Sequence, residues 1–202
     1  MFYAPEHRDK SLLPHDPFKA LIAPRPIGWV STKSKSGAIN LAPYSFFNAV
    51  AEKPPILMLS SSGWKDSATF ASETREFVWN MATYDLHEKM NLTAANLPRG
   101  ESEFAFAGLE PAPSRFVAPP RVALSPAALE CKVVNILSLQ DMDGGLTGNI
   151  LIFGQVVGVY IDDAFIRDGR VDAAAMRPLA RCGYMDYAVA DHLFEMLRPP
   201  RI

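Results

Sequence analysis

PRPIGWVSTKSKSGAINLAPYSFFNAVAEKPP, residues 24–55, decides the fold. An apolar, β-branched run at 27–32 stops at the turn cluster KSKSG, 33–37, and a second apolar run follows. That order predicts a β-hairpin. Its second arm is unusual, because Asn40, Pro43, Tyr44 and Ser45 interrupt it with polar groups and one ring that lacks a backbone N–H. Proline cannot donate to a sheet ladder, so the chain is expected to leave the sheet near Pro43. Asn40, Tyr44 and Ser45 are then free to face a planar ligand with polar edges.

Outward from this stretch, residues 56–60 (ILMLS) read as a short buried strand. Residues 65–75 read as a helix capped by Asp66 or Ser67. A strand is expected over 77–82 and a helix over 85–96, where Leu86, Met90 and Leu97 fall at helical spacing. Residues 98–120 read as a long loop, too apolar at Phe104, Phe106 and Phe116 for disorder and suited to a lid or a dimer arm. Two long strands, 127–140 and 149–162, flank the turn-rich DMDGGLTG. Gly154 and Gly158 inside the second predict bends or close backbone approach, as closing a small barrel requires. Residues 1–23 are expected to lie over the surface, partly helical at 11–21, and a last helix is expected around 190–197. The whole, 1–202, reads as one mainly β domain with peripheral helices.

Composition excludes more than it selects. A net charge of −2, without clusters of bases and aromatics, gives no case for nucleic acid or an anionic membrane. No apolar run approaches a membrane span and the N-terminus has no signal-peptide core, so a cytoplasmic home is expected. Cys131 and Cys182 read as reduced packing residues. The four histidines lack metal-ligand spacing, so no metal is expected. No Rossmann, P-loop or nucleophile-elbow motif occurs. DMDGGLTGN fails the ligand spacing of a calcium loop and reads as a hairpin turn.

One local cluster suggests binding chemistry. Ser60, Ser61, Ser62, Lys65, Asp66 and Ser67 crowd a strand end and a helix start. Hydroxyls, an ammonium and free helix N–H groups form an anion site without a Gly-rich loop. The alternative is plain capping beside a solvated loop.

Taken in order, PRPIGWVST (24–32), NLAPYSFFN (40–48), KPPILML (53–59), KDS (65–67), FVWN (77–80), PRVALSPAALEC (120–131) and PLARCG (178–183) resemble the flavin reductase-like family. The resemblance implies an FMN-binding split β-barrel with a Greek-key-like, six-stranded core and peripheral α-helices. It also implies a homodimer with FMN at the subunit interface. The implied activity is transfer of hydride from NADH or NADPH to FMN, with the flavin carrying the chemistry and no catalytic side chain. An oxygenase is the implied recipient of reduced flavin. The alternative is a flavoredoxin-like FMN protein that only transfers electrons; a third reading is a barrel that has lost redox function.

The resemblance gives roles to residues. Lys65 and Ser67 bind phosphate oxygens, with Ser61 beside them and Asp66 capping the helix. The stretch Asn40, Ala42, Pro43, Tyr44 and Ser45 meets the polar edge of the flavin ring. Ser31 and Thr32 reach ribityl hydroxyls or phosphate, and Trp29 covers the ring, although Trp29 and Tyr44 equally suit core packing. Asn80 bonds the ligand or satisfies buried backbone. Arg181, with Arg25 and Lys89 as other cations, offsets charge on the reduced ring. At Tyr184 the sequence departs from the family pattern, which has a second Gly there, so the local backbone is in question.

Overall fold

The computed structural model describes residues 1–99 and 101–200. Gly100, within the segment expected to be a long loop, lies outside the described residues.

The opening stretch forms the expected hairpin: β1 (Gly28–Lys33) pairs with β2 (Ile39–Tyr44). Five further strands complete the main sheet: β3 (Phe47–Glu52), β4 (Pro55–Ser62), β5 (Glu76–Asn80), β6 (Ala127–Gln140) and β7 (Leu146–Ile161). Their order across the sheet is β2-β1-β5-β6-β7-β4-β3, antiparallel throughout. The two edge strands, β2 and β3, are separated in the chain only by Ser45 and Phe46, and the Ser60 N–H donates to the Phe46 carbonyl at 2.9 Å. The sheet edges therefore meet at this corner, and the sheet must curl into a barrel. Counted as one bent strand, 39–52 reduces the barrel to the six expected segments.

Pro43 does not take the chain out of the sheet. It stays in register opposite Trp29, and the bend comes two residues later. The reason is position: β2 is an edge strand, where one side of the backbone has no ladder to serve.

Alternation along β1 buries both faces. Trp29 joins a cluster with Leu41, Leu86, Met90 and Phe104, while Val30 joins Phe47, Leu59, Phe77 and Ile152 in the barrel. Helix α2 (Asp66–Thr74) presses Ala68 and Ala71 into the second cluster. Before it, α1 (Phe18–Leu21) is a single turn. Helix α3 (His87–Leu92) is shorter than expected. It continues a 3-10 turn at Tyr84–Leu86 and stops where the Thr93 hydroxyl donates to the Met90 carbonyl at 2.7 Å. Such side chain–backbone bonds compete with the helix ladder.

Segment 98–120 holds a helical turn, α4 (Glu103–Phe106), and a two-residue strand, Pro111–Ala112, paired with Arg121–Val122. Buried Glu130 pins it by accepting from the N–H groups of Arg115 and Phe116 at 2.9 and 2.6 Å. The helix expected around 190–197 is absent. Leu193, Phe194, Met196 and Leu197 are all exposed there, and a helix that short is not stable without a packed face.

The pairing of β6 with β7 shifts register between Phe153 and Gly154, and again between Val156 and Gly158. A Cβ on Gly154 would sit 2.2 Å from the Phe77 ring. Gly154→Ala should cost roughly 1–3 kcal/mol by overpacking. Urea unfolding checks it; an unchanged midpoint would contradict the close approach.

Candidate functional site

Strand alternation places Asn40, Ala42 and Tyr44 on one side of β2. There they meet the N-terminus of α2 across a cavity of about 370 Å³, within the range of nucleotide-sized pockets. The opposite wall comes from residues 93–97, Arg99 and Glu103.

The helix start is built differently from the sequence expectation. The cap position is Lys65, in extended conformation, and no side chain caps the helix. Asp66 instead pairs with Arg99 at 3.2 Å. Ser67 is buried and its hydroxyl donates to the Asn40 Oδ1 at 2.6 Å. With both short polar side chains engaged elsewhere, the first helical N–H groups lack side-chain acceptors beside Lys65, which makes no ion pair among the described residues. A free helix N-terminus with one cation suits an anion.

Behind this lies a network the sequence did not reveal. Glu103 is buried, and its Oε2 accepts from Asn40 Nδ2 and from the Leu41 N–H, both at 2.9 Å. Glu103, Asn40 and Ser67 thus form one chain of hydrogen bonds from α4 through β2 to α2. The Tyr44 phenol is held above its ordinary value of 10.0, chiefly by burial. It stays a neutral hydrogen-bonding group at physiological pH.

A second hollow of about 210 Å³ shares Pro43 and Ala94 with the first and adds Ser45, Arg25 and Arg181. Arg181, in the short strand Leu179–Arg181, lies 4.4 Å over the Tyr187 ring and donates to the Tyr184 carbonyl at 2.6 Å. Tyr184 has φ 52°, the left-handed conformation that a glycine would adopt freely. The turn is therefore retained at a cost of about 1–2 kcal/mol. Arg25 is not a free cation: it is buried, and its guanidinium donates to the carbonyls of Lys19, Ile22 and Cys182. Lys89 donates to the Gly108 carbonyl at 2.7 Å.

The structure thus gathers Asn40, Ala42, Pro43, Tyr44, Lys65, Asp66 and Ser67 around the first cavity, and Ser45 and Arg181 around the second. Five other candidates do not line these cavities. Trp29 is fully buried and its indole N–H donates to Thr93 Oγ1 at 2.9 Å, a packing role. Ser31 donates to the Pro120 carbonyl. Thr32 is buried, its hydroxyl without a partner among the described residues. Asn80 serves buried backbone, donating to the Trp29 carbonyl and accepting from the Val122 N–H. Ser61 donates to the Gly63 carbonyl. Sequence reasoning missed Glu103, Arg99 and Thr93–Leu97 in the first cavity, and Lys19, Ile27 and Tyr187 in the second.

Comparison with known proteins agrees with this architecture. A family model described as "Flavin reductase like domain" matches residues 21–174. An uncharacterized protein of Aquifex aeolicus is 38% identical over 176 residues, covering 84% of this chain and 86% of that protein. Among solved structures, nitrilotriacetate monooxygenase component B from Bacillus cereus superposes with a TM-score of 0.87 at 30% identity, covering 97% of this chain and 98% of that one. The 2-nitrobenzoate 2-nitroreductase of Pseudomonas fluorescens gives 0.85 at 25% identity, covering 100% and 98%. No helix among the described residues is long and apolar enough to cross a membrane. The split barrel, its ordered motifs and the matched family model make this chain a member of the flavin reductase-like family.

Proposed function

We propose that the protein is a flavin reductase that binds FMN and reduces it with NADH or NADPH. The observation that carries the reading is the uncapped start of α2 beside Lys65, opening into a cavity that shares Pro43 and Ala94 with a second hollow lined by Arg181. These residues fit FMN. Lys65, Ser67 and the helix N–H groups hold the phosphate. The backbone of residues 42–45 meets the polar ring edge, and Arg181 lies at the far end to offset negative charge. Bound FMN supplies the chemistry, accepting a hydride from a dihydronicotinamide and passing two electrons on. The chain's own task is to bind, orient and leave one face of the site open; no acid or base is needed.

An oxygenase as the recipient of reduced flavin is supported by the Bacillus cereus match, a monooxygenase component. A cytoplasmic two-fold dimer belongs to the same reading, since isologous dimers are the commonest soluble assembly and Phe46 and Val50 are exposed at the barrel corner beside the site. Sedimentation followed in the visible flavin band should show a yellow species of twice the chain mass. A colourless boundary after FMN addition contradicts the flavin site, and a yellow monomer contradicts the dimer.

A further inference from the structure

A third hollow of about 440 Å³ lies between α3 and the short strands Leu179–Arg181 and Tyr187–Val189. It shares Arg181 and Tyr187 with the second hollow, which itself shares Pro43 and Ala94 with the first. The three hollows thus lie side by side from the start of α2 to α3, each sharing two lining residues with the next. Nothing in FMN binding or hydride acceptance requires the last of them.

Its walls have a definite chemistry. The rings of His87 and Tyr84 are already stacked, with centroids 4.9 Å apart and planes 17° from parallel. The His87 Nδ1 lies 2.6 Å from the Tyr84 carbonyl, which fixes the imidazole. Met90, Leu179 and Val189 make the floor apolar. Besides the aromatic side chains, Arg181, shared with the second hollow, and Glu88 and Asn91 on α3 add polar groups to the lining. Glu88 makes no ion pair among the described residues. A flat aromatic wall takes a flat ring, a guanidinium at the entrance takes phosphate oxygens, and an unpaired carboxylate takes hydroxyl donors.

On the reading that this chain oxidises a dihydronicotinamide, two ligands must be held at once. The nicotinamide end of the donor must reach the flavin site, which leaves a pyrophosphate and an adenosine to be placed. We infer that the hollow between α3 and strands 179–181 and 187–189 binds the ADP-ribose half of the donor, and that Glu88 makes this donor NADH rather than NADPH. The adenine packs against the stacked His87 and Tyr84 rings, Arg181 meets the pyrophosphate, and Glu88 accepts from the adenosine ribose hydroxyls. A 2′-phosphate would put a dianion against that carboxylate, which repels it.

Calorimetric titration of the full chain with ADP-ribose, with and without FMN, tests the site apart from any hydride chemistry. ADP-ribose should bind in both states, shift the His87 ring signals in the NMR spectrum, and bind about tenfold more tightly than its 2′-phosphorylated form. Glu88→Gln should erase most of that preference, and its thermal unfolding reports whether the fold is intact. Absence of binding, displacement of ADP-ribose by FMN, or equal or tighter binding of the 2′-phosphate form would each overturn the assignment. The reductase reading fails separately: ADP-ribose bound at His87 in a protein whose flavin neither NADH nor NADPH reduces would leave the site standing and remove the reductase.

Discussion

Replacing Lys65 by Ala should weaken FMN binding about tenfold to a hundredfold and leave riboflavin affinity nearly unchanged. Only FMN carries the phosphate, and a charge-assisted contact contributes roughly 1.5–3 kcal/mol, which converts to that range in dissociation constant. Lys65 is exposed and caps nothing with its side chain, so its removal should not disturb α2. Fluorescence titration with the two flavins separates the possibilities. Equal weakening of both would mean that Lys65 acts on the fold or the ring, and no weakening of either would move the phosphate elsewhere.

The second large effect belongs to Glu103. Glu103→Ala strips acceptors from two buried donors, Asn40 Nδ2 and the Leu41 N–H. An unsatisfied buried donor costs roughly 1–3 kcal/mol, towards the lower end here because the cavity lets water approach. Asn40 is also the partner that Ser67 donates to, so its release frees Ser67 at the helix start. The expected result is a lower urea midpoint together with weaker FMN binding. Glu103→Gln keeps one carbonyl oxygen for the two donors and should recover part of both. Full stability in Glu103→Ala would show that the network does not hold the site.

These two residues mark what was legible and what was not. Lys65 sits in a local pattern, strand end then helix start, and local patterns survive in sequence. The hairpin of β1 and β2, the long β6 and β7, and the bends at Gly154 and Gly158 were visible for the same reason. Glu103 is invisible because nothing beside it in the chain shows that it will be buried against Asn40, 63 residues away. Arg99 lies in the same segment, read as a loop, and reaches Asp66 only once that segment folds over the cavity. The cap of α2 was misread because Asp66 and Ser67 have good capping chemistry but better partners in Arg99 and Asn40. Trp29 shows the reverse error. Its large flat ring suits a flavin, but the alternation of β1 turns it into the core, where Thr93 takes its N–H. The missing helix at 190–197 had suitable residues and no surface to pack on.

Binding alone leaves the flavoredoxin-like alternative standing, since a protein that only carries electrons needs the same phosphate anchor. The difference is whether a small hydride donor can reach the bound flavin. Rapid mixing of the FMN-loaded protein with NADH, and separately with NADPH, measures this through the loss of flavin colour. The reductase account predicts bleaching within the turnover time of an ordinary enzyme, about 1 s or less, faster with NADH than with NADPH. Flavin that dithionite reduces readily but that neither nucleotide bleaches would contradict it.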